Sequence, residues 1–357
     1  LFILADDLGW GDLGCQGHPT LRTPVIDRLA AEGIRCTQYS VASPICSPSR
    51  AALLTGKRPA ALRFHWVLTD SKQNAWRTVP DQLDPQVPTL ARTLHGAGYA
   101  TAHIGKWHLG DEVAQRDRAA YGFDLIDITN VSAWKLLSTE EEASRDKAVK
   151  GLATMRSSAA IVDRASAWIA SVPATQPFYA QLWMGVPHSP LGATPEQTAP
   201  FAELVVDPKA SAFGFWQQGY YQSLGKRRDE MARVYHGAIS DFDTQIGRLL
   251  AQLDQLGRAR DTIVVFSSDN GPEHAAGHNA GTGSPGVLRG RKHGIYEGGL
   301  RTPWIVRYPA RIPAGTVDET SVLNGIDLHP TVAALCGVPA PAGIDGEDRS
   351  AVWLGTP

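Results

Sequence analysis

At 357 residues the chain is long enough for one large α/β domain or two small ones. Hydrophobic residues make up 43% and charged residues 20%, the balance of an ordinary globular protein, and a net charge of -2 excludes a global basic field for nucleic acid or an acidic membrane. Four cysteines (Cys15, Cys36, Cys46, Cys336) are too few and too scattered for a disulfide framework or a CxxC metal site. No apolar run is long enough to span a membrane. The chain begins inside the apolar run Leu1-Phe2-Ile3-Leu4, with no start Met or signal peptide, which reads as a trimmed or partial chain.

Leu1 to Ala5 is a short continuous apolar run, as expected of a strand buried on both faces of a parallel sheet. It ends in Asp6-Asp7, two adjacent carboxylates that repel each other unless a cation neutralises them. A solvated turn is the bland reading of that pair. Gly9, Gly11 and Gly14 then make a loop able to wrap closely around an ion. Arg22 to Ile34 is predicted as a helix and Cys36 to Val41 as a short strand.

Ser43 to Gly56 reads S-P-I-C-S-P-S-R-A-A-L-L-T-G. Proline suits an early helical position, so Ser47-Pro48-Ser49 marks a first turn, and Gly56 marks the stop. Arg50 follows Cys46 by four residues and so shares its face. A small reactive side chain beside a guanidinium at a helix N-terminus describes an anion site. A buried Cys with a surface Arg is the bland alternative, and a Cys nucleophile the sharper one.

Arg58 to Val87 has no period and carries His65, Trp66 and Trp76, either packed locally or set to stack on a sugar face. Thr89 to Gly98 is predicted helical and Tyr99 to Ile104 a strand, ending in Gly105-Lys106-Trp107-His108-Leu109-Gly110. A Lys and a His two residues apart in an extended segment point the same way. Asp111 to Ser157 is expected as helices and loops facing solvent, and Ala159 to Val172 as an amphipathic helix. Phe178 to Met184 is a further strand, running into His188 between two prolines. Phe201 to Arg228 lacks a period, and its aromatics either line a substrate loop or pack against the domain. Asp229 to Leu256 is a long amphipathic helix. Thr262 to Phe266 is a buried strand followed by Asp269-Asn270, both hard oxygen ligands. His274 to Gly286 reads as a flexible loop, Leu288 to Pro303 as L-R-G-R-K-H-G-I-Y-E-G-G-L-R-T-P, Pro303 to Tyr308 as a strand and Ile326 to Leu335 as a helix.

Buried strands alternating with amphipathic helices imply α/β architecture, a mostly parallel, doubly wound central sheet with helices on both faces. Ligands bind such sheets beyond the carboxyl ends of their strands. Asp6-Asp7, Lys106 with His108, His188 and Asp269-Asn270 all follow such ends.

Several of these stretches resemble one family, the type I sulfatases of the alkaline-phosphatase-like superfamily. C-S-P-S-R with L-L-T-G is similar to its signature, except that Lys57 stands where the family has Arg, which keeps the charge but not the planar fork. L-F-I-L-A-D-D-L-G-W-G-D, G-K-W-H-L-G and the Leu288 to Pro303 stretch resemble further signatures, in the family order. The match puts the sulfate-binding lysine at Lys292, with Arg291 as the alternative register.

The resemblance implies a sulfatase catalytic domain over 1–357 with a smaller C-terminal subdomain mostly absent. It implies that Cys46 is oxidised by a maturation enzyme to formylglycine, an aldehyde that hydrates to a gem-diol. Asp6, Asp7, Asp269, Asn270 and modified Cys46 would hold Ca²⁺, with Mg²⁺ as the alternative. Arg50, Lys106 and Lys292 would balance sulfate charge, Asp269 would take the attacking proton, His188 would protonate the leaving group and His108 would help release sulfate. The implied substrate is a sulfated sugar, as for carbohydrate sulfatases of the N-acetylgalactosamine-6-sulfatase and arylsulfatase kind, and the implied location periplasmic or secreted. A phosphate or phosphonate ester hydrolase of the same superfamily, a plain Cys hydrolase and a non-catalytic binding protein are the rivals.

Overall fold

In a computed structural model, residues 1–110, 117–128, 147–274 and 279–356 are described. The strands are β1 (Phe2–Asp6), β2 (Ile34–Cys36), β3 (Tyr39–Ser40), β4 (Ala100–Gly105), β5 (Leu125–Ile128), β6 (Phe178–Pro187), β7 (Val264–Ser268), β8 (Trp304–Arg307), β9 (Thr316–Asp318) and β10 (Leu323–Asn324). Eight of them form one sheet in the order β5-β4-β6-β1-β7-β8-β2-β9. The five from β5 to β7 are mutually parallel, as the alternating pattern predicts. Strand β8 is antiparallel to both β7 and β2. The chain leaves β7 at the carboxyl edge and re-enters β8 from that edge without crossing the sheet, so the direction must reverse.

Burial on both faces is visible residue by residue. Along β1, Phe2 and Leu4 join one core while Leu1, Ile3 and Ala5 join the other. Along β6, Tyr179 and Trp183 alternate in the same way with Ala180, Leu182 and Met184. Helices Cys46–Thr55, Leu90–His95 and Leu328–Leu335 cover the first face with Leu53, Leu54, Leu90, Leu94, Leu328 and Val332. Helices Pro24–Ala31, Lys147–Ser171 and Arg227–Gln255 cover the second with Ile26, Leu29, Ile161, Ile169, Ile239 and Phe242. An unbroken apolar run is therefore what a central strand here requires.

Some expectations shift at their edges. The predicted strand 36–41 is two short pieces, β2 and β3, and β3 pairs with β10 in a separate two-stranded sheet. In the long helix Val234 is only half-buried, while Met231, Tyr235, Ile239, Phe242 and Ile246 are buried as predicted. The aperiodic 201–228 stretch contains a helix, Phe215–Ser223, and its aromatics divide: Phe213 and Tyr221 are buried, Phe215 and Trp216 exposed. Much of the expected solvent-facing 111–157 stretch lies outside the described residues, but 125–128 is a sheet strand. Of the loop expected over 274–286, residues 275–278 lie outside the described residues; 280–284 are buried, with Ser284 bonded to Gly11. Among the described residues no helix is long and apolar enough to cross a membrane.

Gly105 ends β4 and sets up Lys106. Its φ is 113°, and a Cβ there would meet the Trp183 carbonyl oxygen at 2.1 Å, the same oxygen that accepts the Lys106 N–H at 2.8 Å. Gly105→Ala is expected to cost about 2–4 kcal/mol, from backbone strain plus overpacking. Gly98 also has positive φ (88°) but open space around it, so Gly98→Ala should cost only about 1 kcal/mol. Equilibrium denaturation of both variants measures the difference.

His18, His236 and His329 are buried, and burial pushes them down to about 3, 4 and 4. His329 Nδ1 faces the Thr55 carbonyl oxygen at 3.1 Å and so carries a proton, leaving Nε2 to accept from Thr93 Oγ1 at 2.9 Å. The neutral form is thus the folded form. The unfolded chain takes up protons below about pH 6.5 while the folded chain does not, so this stability is present above that pH and lost as pH falls. The melting temperature should drop between pH 7.5 and 5, and His329→Gln should flatten the drop. An equally steep drop in the variant would rule His329 out as a contributor.

Candidate active site

The carboxyl ends of the parallel strands deliver most of the predicted site residues. Strand β1 ends at Asp6, β4 at Gly105 before Lys106, β6 at Pro187 before His188, and β7 at Ser268 before Asp269 and Asn270. Neighbouring side chains on a strand point to opposite faces, so an ideal strand could not aim both Asp6 and Asp7 at one site. The pairing of β1 with β6 shifts register between Leu4 and Asp6, and Asp7 has a left-handed backbone (φ 69°). Strain of that kind persists where surrounding structure enforces it. Here the Asp7 N–H donates to Asp269 Oδ1 at 3.1 Å and the Leu8 N–H to Ser268 Oγ at 2.9 Å. Gly9 keeps the following loop close, since a Cβ there would sit 2.1 Å from the Ser284 carbonyl oxygen.

The remaining edge comes from the helix Cys46–Thr55, which stops at left-handed Gly56 (φ 69°) as predicted. Its N-cap residue, Ile45, supplies no side-chain bond to the first turn. Cys46 Sγ lies 3.7 Å from Asp6 Oδ1. One turn on, Arg50 is fully buried, which removes the reading of a surface arginine. Its Nε and Nη2 reach Asp269 Oδ2 at 2.9 and 2.7 Å, Nη2 lies 3.3 Å from Asp6 Oδ1, and Nη1 donates to the Lys106 carbonyl at 3.2 Å. The guanidinium also sits 5.2 Å from the centre of the Trp183 ring, a cation–π contact.

Lys106 Nζ donates to Asp6 Oδ2 at 2.6 Å, and Lys292 Nζ to Asp7 Oδ2 at 2.6 Å. Arg291, the alternative register, points elsewhere and binds the backbone carbonyls of Glu273 and Gly281 and the side chain of Gln217. His188 Nε2 lies 3.7 Å from Asp7 Oδ2, and its Nδ1 donates to the Ser189 carbonyl at 2.5 Å. Cis peptide bonds at Val186–Pro187 and Ser189–Pro190 bracket it. Asn270 Nδ2 donates to Asp7 Oδ1 at 2.6 Å. His108 stands slightly apart: the chain turns left-handed there (φ 59°), so strand alternation does not relate it to Lys106. Its Nε2 lies 3.0 Å from the Leu68 carbonyl, and Leu68 N–H donates to Ser47 Oγ, which links His108 to the Cys46 turn.

Three buried carboxylates thus face three buried cations. Burial alone would raise Asp6, but Lys106, His188, Arg50 and Lys292 together hold it well below the usual carboxylate range. Burial pushes Asp269 up to about 6 against the pull of Arg50. Lys106 and Lys292 lose solvation on burial but are raised by Asp6 and Asp7 respectively. Burial pushes the Cys46 thiol up, against the pull of Lys106 and Lys292, so it stays a thiol rather than a thiolate nucleophile. That disfavours a plain Cys hydrolase.

Donor atoms of Asp6, Asp7, Cys46 and Asp269 lie within 4.8 Å of one another. Asn270 Oδ1 is buried and has no hydrogen-bond partner among the described residues. An orphaned buried acceptor beside clustered carboxylates fits a hard cation, and carboxylate and amide oxygens suit Ca²⁺ or Mg²⁺ better than Zn²⁺. Glu273 also belongs to the site, near Lys292 and His188, although no motif singled it out. Its only sequence signal is its place just after the Gly271-Pro272 turn that follows Asp269-Asn270.

Comparison with known proteins identifies the family. A family model described as Sulfatase matches residues 1–338. The chain is 36% identical to mouse steryl-sulfatase over 98% of its own length and 64% of that protein's. It is 31% identical to human arylsulfatase A (100% and 68%) and 31% identical to dog N-acetylgalactosamine-6-sulfatase (99% and 66%). The chain therefore spans about two thirds of the length of these relatives. Among solved structures, Ps i-CgsB with k-i-k-neocarrahexaose superposes with a TM-score of 0.74 at 24% identity, covering 99% of this chain and 76% of that one. A protein solved with its substrate D-glucosamine-2-N, 6-O-disulfate gives 0.71 at 22% identity, covering 99% and 80%. At those identities the likeness is one of fold. The motifs, the acidic edge and the match over 1–338 lead to one conclusion: this chain belongs to the sulfatase family.

Proposed function

We propose that the chain hydrolyses a sulfate monoester, using formylglycine made from Cys46 and a bound divalent cation. The observation that carries this reading is Cys46 itself. It sits at the start of a helix whose first turn has no side-chain cap, 3.7 Å from Asp6, with its thiol held protonated. Such a residue is a poor nucleophile as a thiol but is well placed as an aldehyde hydrate. Asp6, Asp7, Asp269 and Asn270, with an oxygen of the modified Cys46, would hold Ca²⁺ or Mg²⁺. Such an ion would supply charge stabilisation for an alkoxide and for the sulfate oxygens.

The chain's own groups then divide the work. Asp269 takes the proton of one diol hydroxyl as its oxygen bonds to sulfur. The bond from sulfur to the leaving oxygen breaks, and His188, entering the step as an imidazolium with its Nδ1 proton on the Ser189 carbonyl, gives its Nε2 proton to that oxygen, assisted by Lys292. Arg50, Lys106 and Lys292 balance the charge of the sulfate oxygens. His108 assists deprotonation of the second hydroxyl, whose carbonyl re-forms as the sulfate-bearing C–O bond breaks. Water then restores the hydrate. A serine ester has no second hydroxyl with which to expel sulfate, which gives the aldehyde its purpose.

A sulfated sugar is the favoured substrate. Exposed Trp66, Trp76 and Trp216 suit a sugar face, and one protein of this fold was solved with a sulfated glucosamine. We assign residues 1–357 to the catalytic domain, a maturation enzyme as partner, and a periplasmic or secreted location by family resemblance.

Peptide mass spectrometry across Val41 to Arg50 should show conversion of the Cys46 thiol to an aldehyde in protein matured in its own host, and Cys46→Ala should lower sulfate-ester turnover by on the order of 10³-fold or more. Sulfatase activity with unmodified Cys46 would sink the diol chemistry. Faster turnover of 4-nitrophenyl phosphate or a phosphonate ester than of 4-nitrophenyl sulfate would favour the rival superfamily activity.

Chelation should abolish activity and added Ca²⁺ or Mg²⁺ restore it. Asn270→Ala should weaken cation binding by at least about tenfold in calorimetry. Unchanged affinity would remove Asn270 from the ligand set.

A further inference from the structure

Glu273 is buried (8% exposed) and ties together the two groups assigned above to the leaving-group side. Its Oε2 lies 3.5 Å from Lys292 Nζ and accepts a bond from Ser189 Oγ at 3.2 Å. Ser189 is also held at its carbonyl by His188 Nδ1, at 2.5 Å. The backbone joins the same segments: the Pro272 carbonyl accepts the Lys292 N–H at 3.0 Å, and the Glu273 carbonyl accepts Arg291 Nε and Nη2 at 3.0 and 2.7 Å. Donor atoms of Asp7, His188 and Glu273 lie within 4.8 Å of one another, a spacing that would admit an ion. The Lys292 ammonium already stands among them, 2.6 Å from Asp7 Oδ2 and 3.5 Å from Glu273 Oε2.

An ammonium has three N–H donors. One is directed at Asp7 and the Glu273 carboxylate stands at ion-pair distance, which leaves the ammonium able to donate to an ester oxygen. His188 is fixed in a complementary way. Its Nδ1 proton is committed to Ser189, so Nε2 is the ring nitrogen left to face a substrate. We propose that Glu273 is a positioning residue for the sulfatase reaction: its carboxylate holds the Lys292 ammonium directly and the His188 ring through Ser189, aiming both at the oxygen that leaves.

This role rests on the sulfatase reading and is tested separately from it by varying the leaving group. An alkyl or sugar alkoxide needs a proton as it departs, whereas 4-nitrophenolate does not. Glu273→Gln should lower kcat for a sugar 6-sulfate by about 10²-fold and for 4-nitrophenyl sulfate by less than about threefold, with KM changed less than kcat on the sugar. Glu273→Asp should recover part of the sugar activity. Ser189→Ala, which removes only the link to His188, should show the same selectivity at smaller size. Ca²⁺ affinity by calorimetry should match the parent in all three. Equal losses on both esters, loss of Ca²⁺ affinity, or no loss on either ester would overturn the positioning role. A parent enzyme inactive on both sulfate esters would overturn the sulfatase reading, and this role with it.

Discussion

Three carboxylates that cannot face one another unaided sit at the centre of this molecule. Removing an ion from water costs several kcal/mol even after relaxation, and like charges in a dry site add to that. Asp6, Asp7 and Asp269 are fully or almost fully buried, and Arg50, Lys106 and Lys292 are drawn in to meet them. Those cations come from widely separated parts of the chain: a helix near residue 50, a strand end near 106 and a loop near 292. The balance of charge is therefore also a tertiary constraint, because displacing any one segment leaves a buried charge without its partner.

The sheet supplies the rigid frame for that balance. Parallel strands covered on both faces end together at one edge, so the residue after each strand is placed there without a dedicated fold. Two departures from regular geometry make the edge functional. The shift in β1 with left-handed Asp7 lets consecutive aspartates serve one site. The reversal of β8 brings the chain back into the sheet from the carboxyl edge, where Lys292 can reach Asp7 and Glu273 can stand beside it.

Burial and charge together set the state of Cys46. A thiol surrounded by carboxylates and starved of water holds its proton, so neighbouring Lys106 and Lys292 do not make it a nucleophile. They remain available to an anion. The site interleaves carboxylates with ammonium and guanidinium groups, so both signs of charge lie within reach of a bound group.

Much of this was legible in the residues alone. Local patterns reported the buried strands, the helix that opens at Cys46 and ends at Gly56, and the Cys46–Arg50 spacing, because each depends on a few consecutive side chains and backbone preferences. The signature stretches reported the family for the same reason. Sequence left open what depends on distance through space. It favoured Lys292 over Arg291 only through the family resemblance, since both are basic and adjacent; folding turns Lys292 to Asp7 and Arg291 to backbone carbonyls. Alternation related Lys106 to His108 only as long as the backbone stayed extended, and left-handed His108 breaks it. Glu273 carried no motif at all. Its place beside Lys292 and Ser189 arises because buried charges must find partners, and which partners lie within reach is set by the packing of segments far apart in the chain.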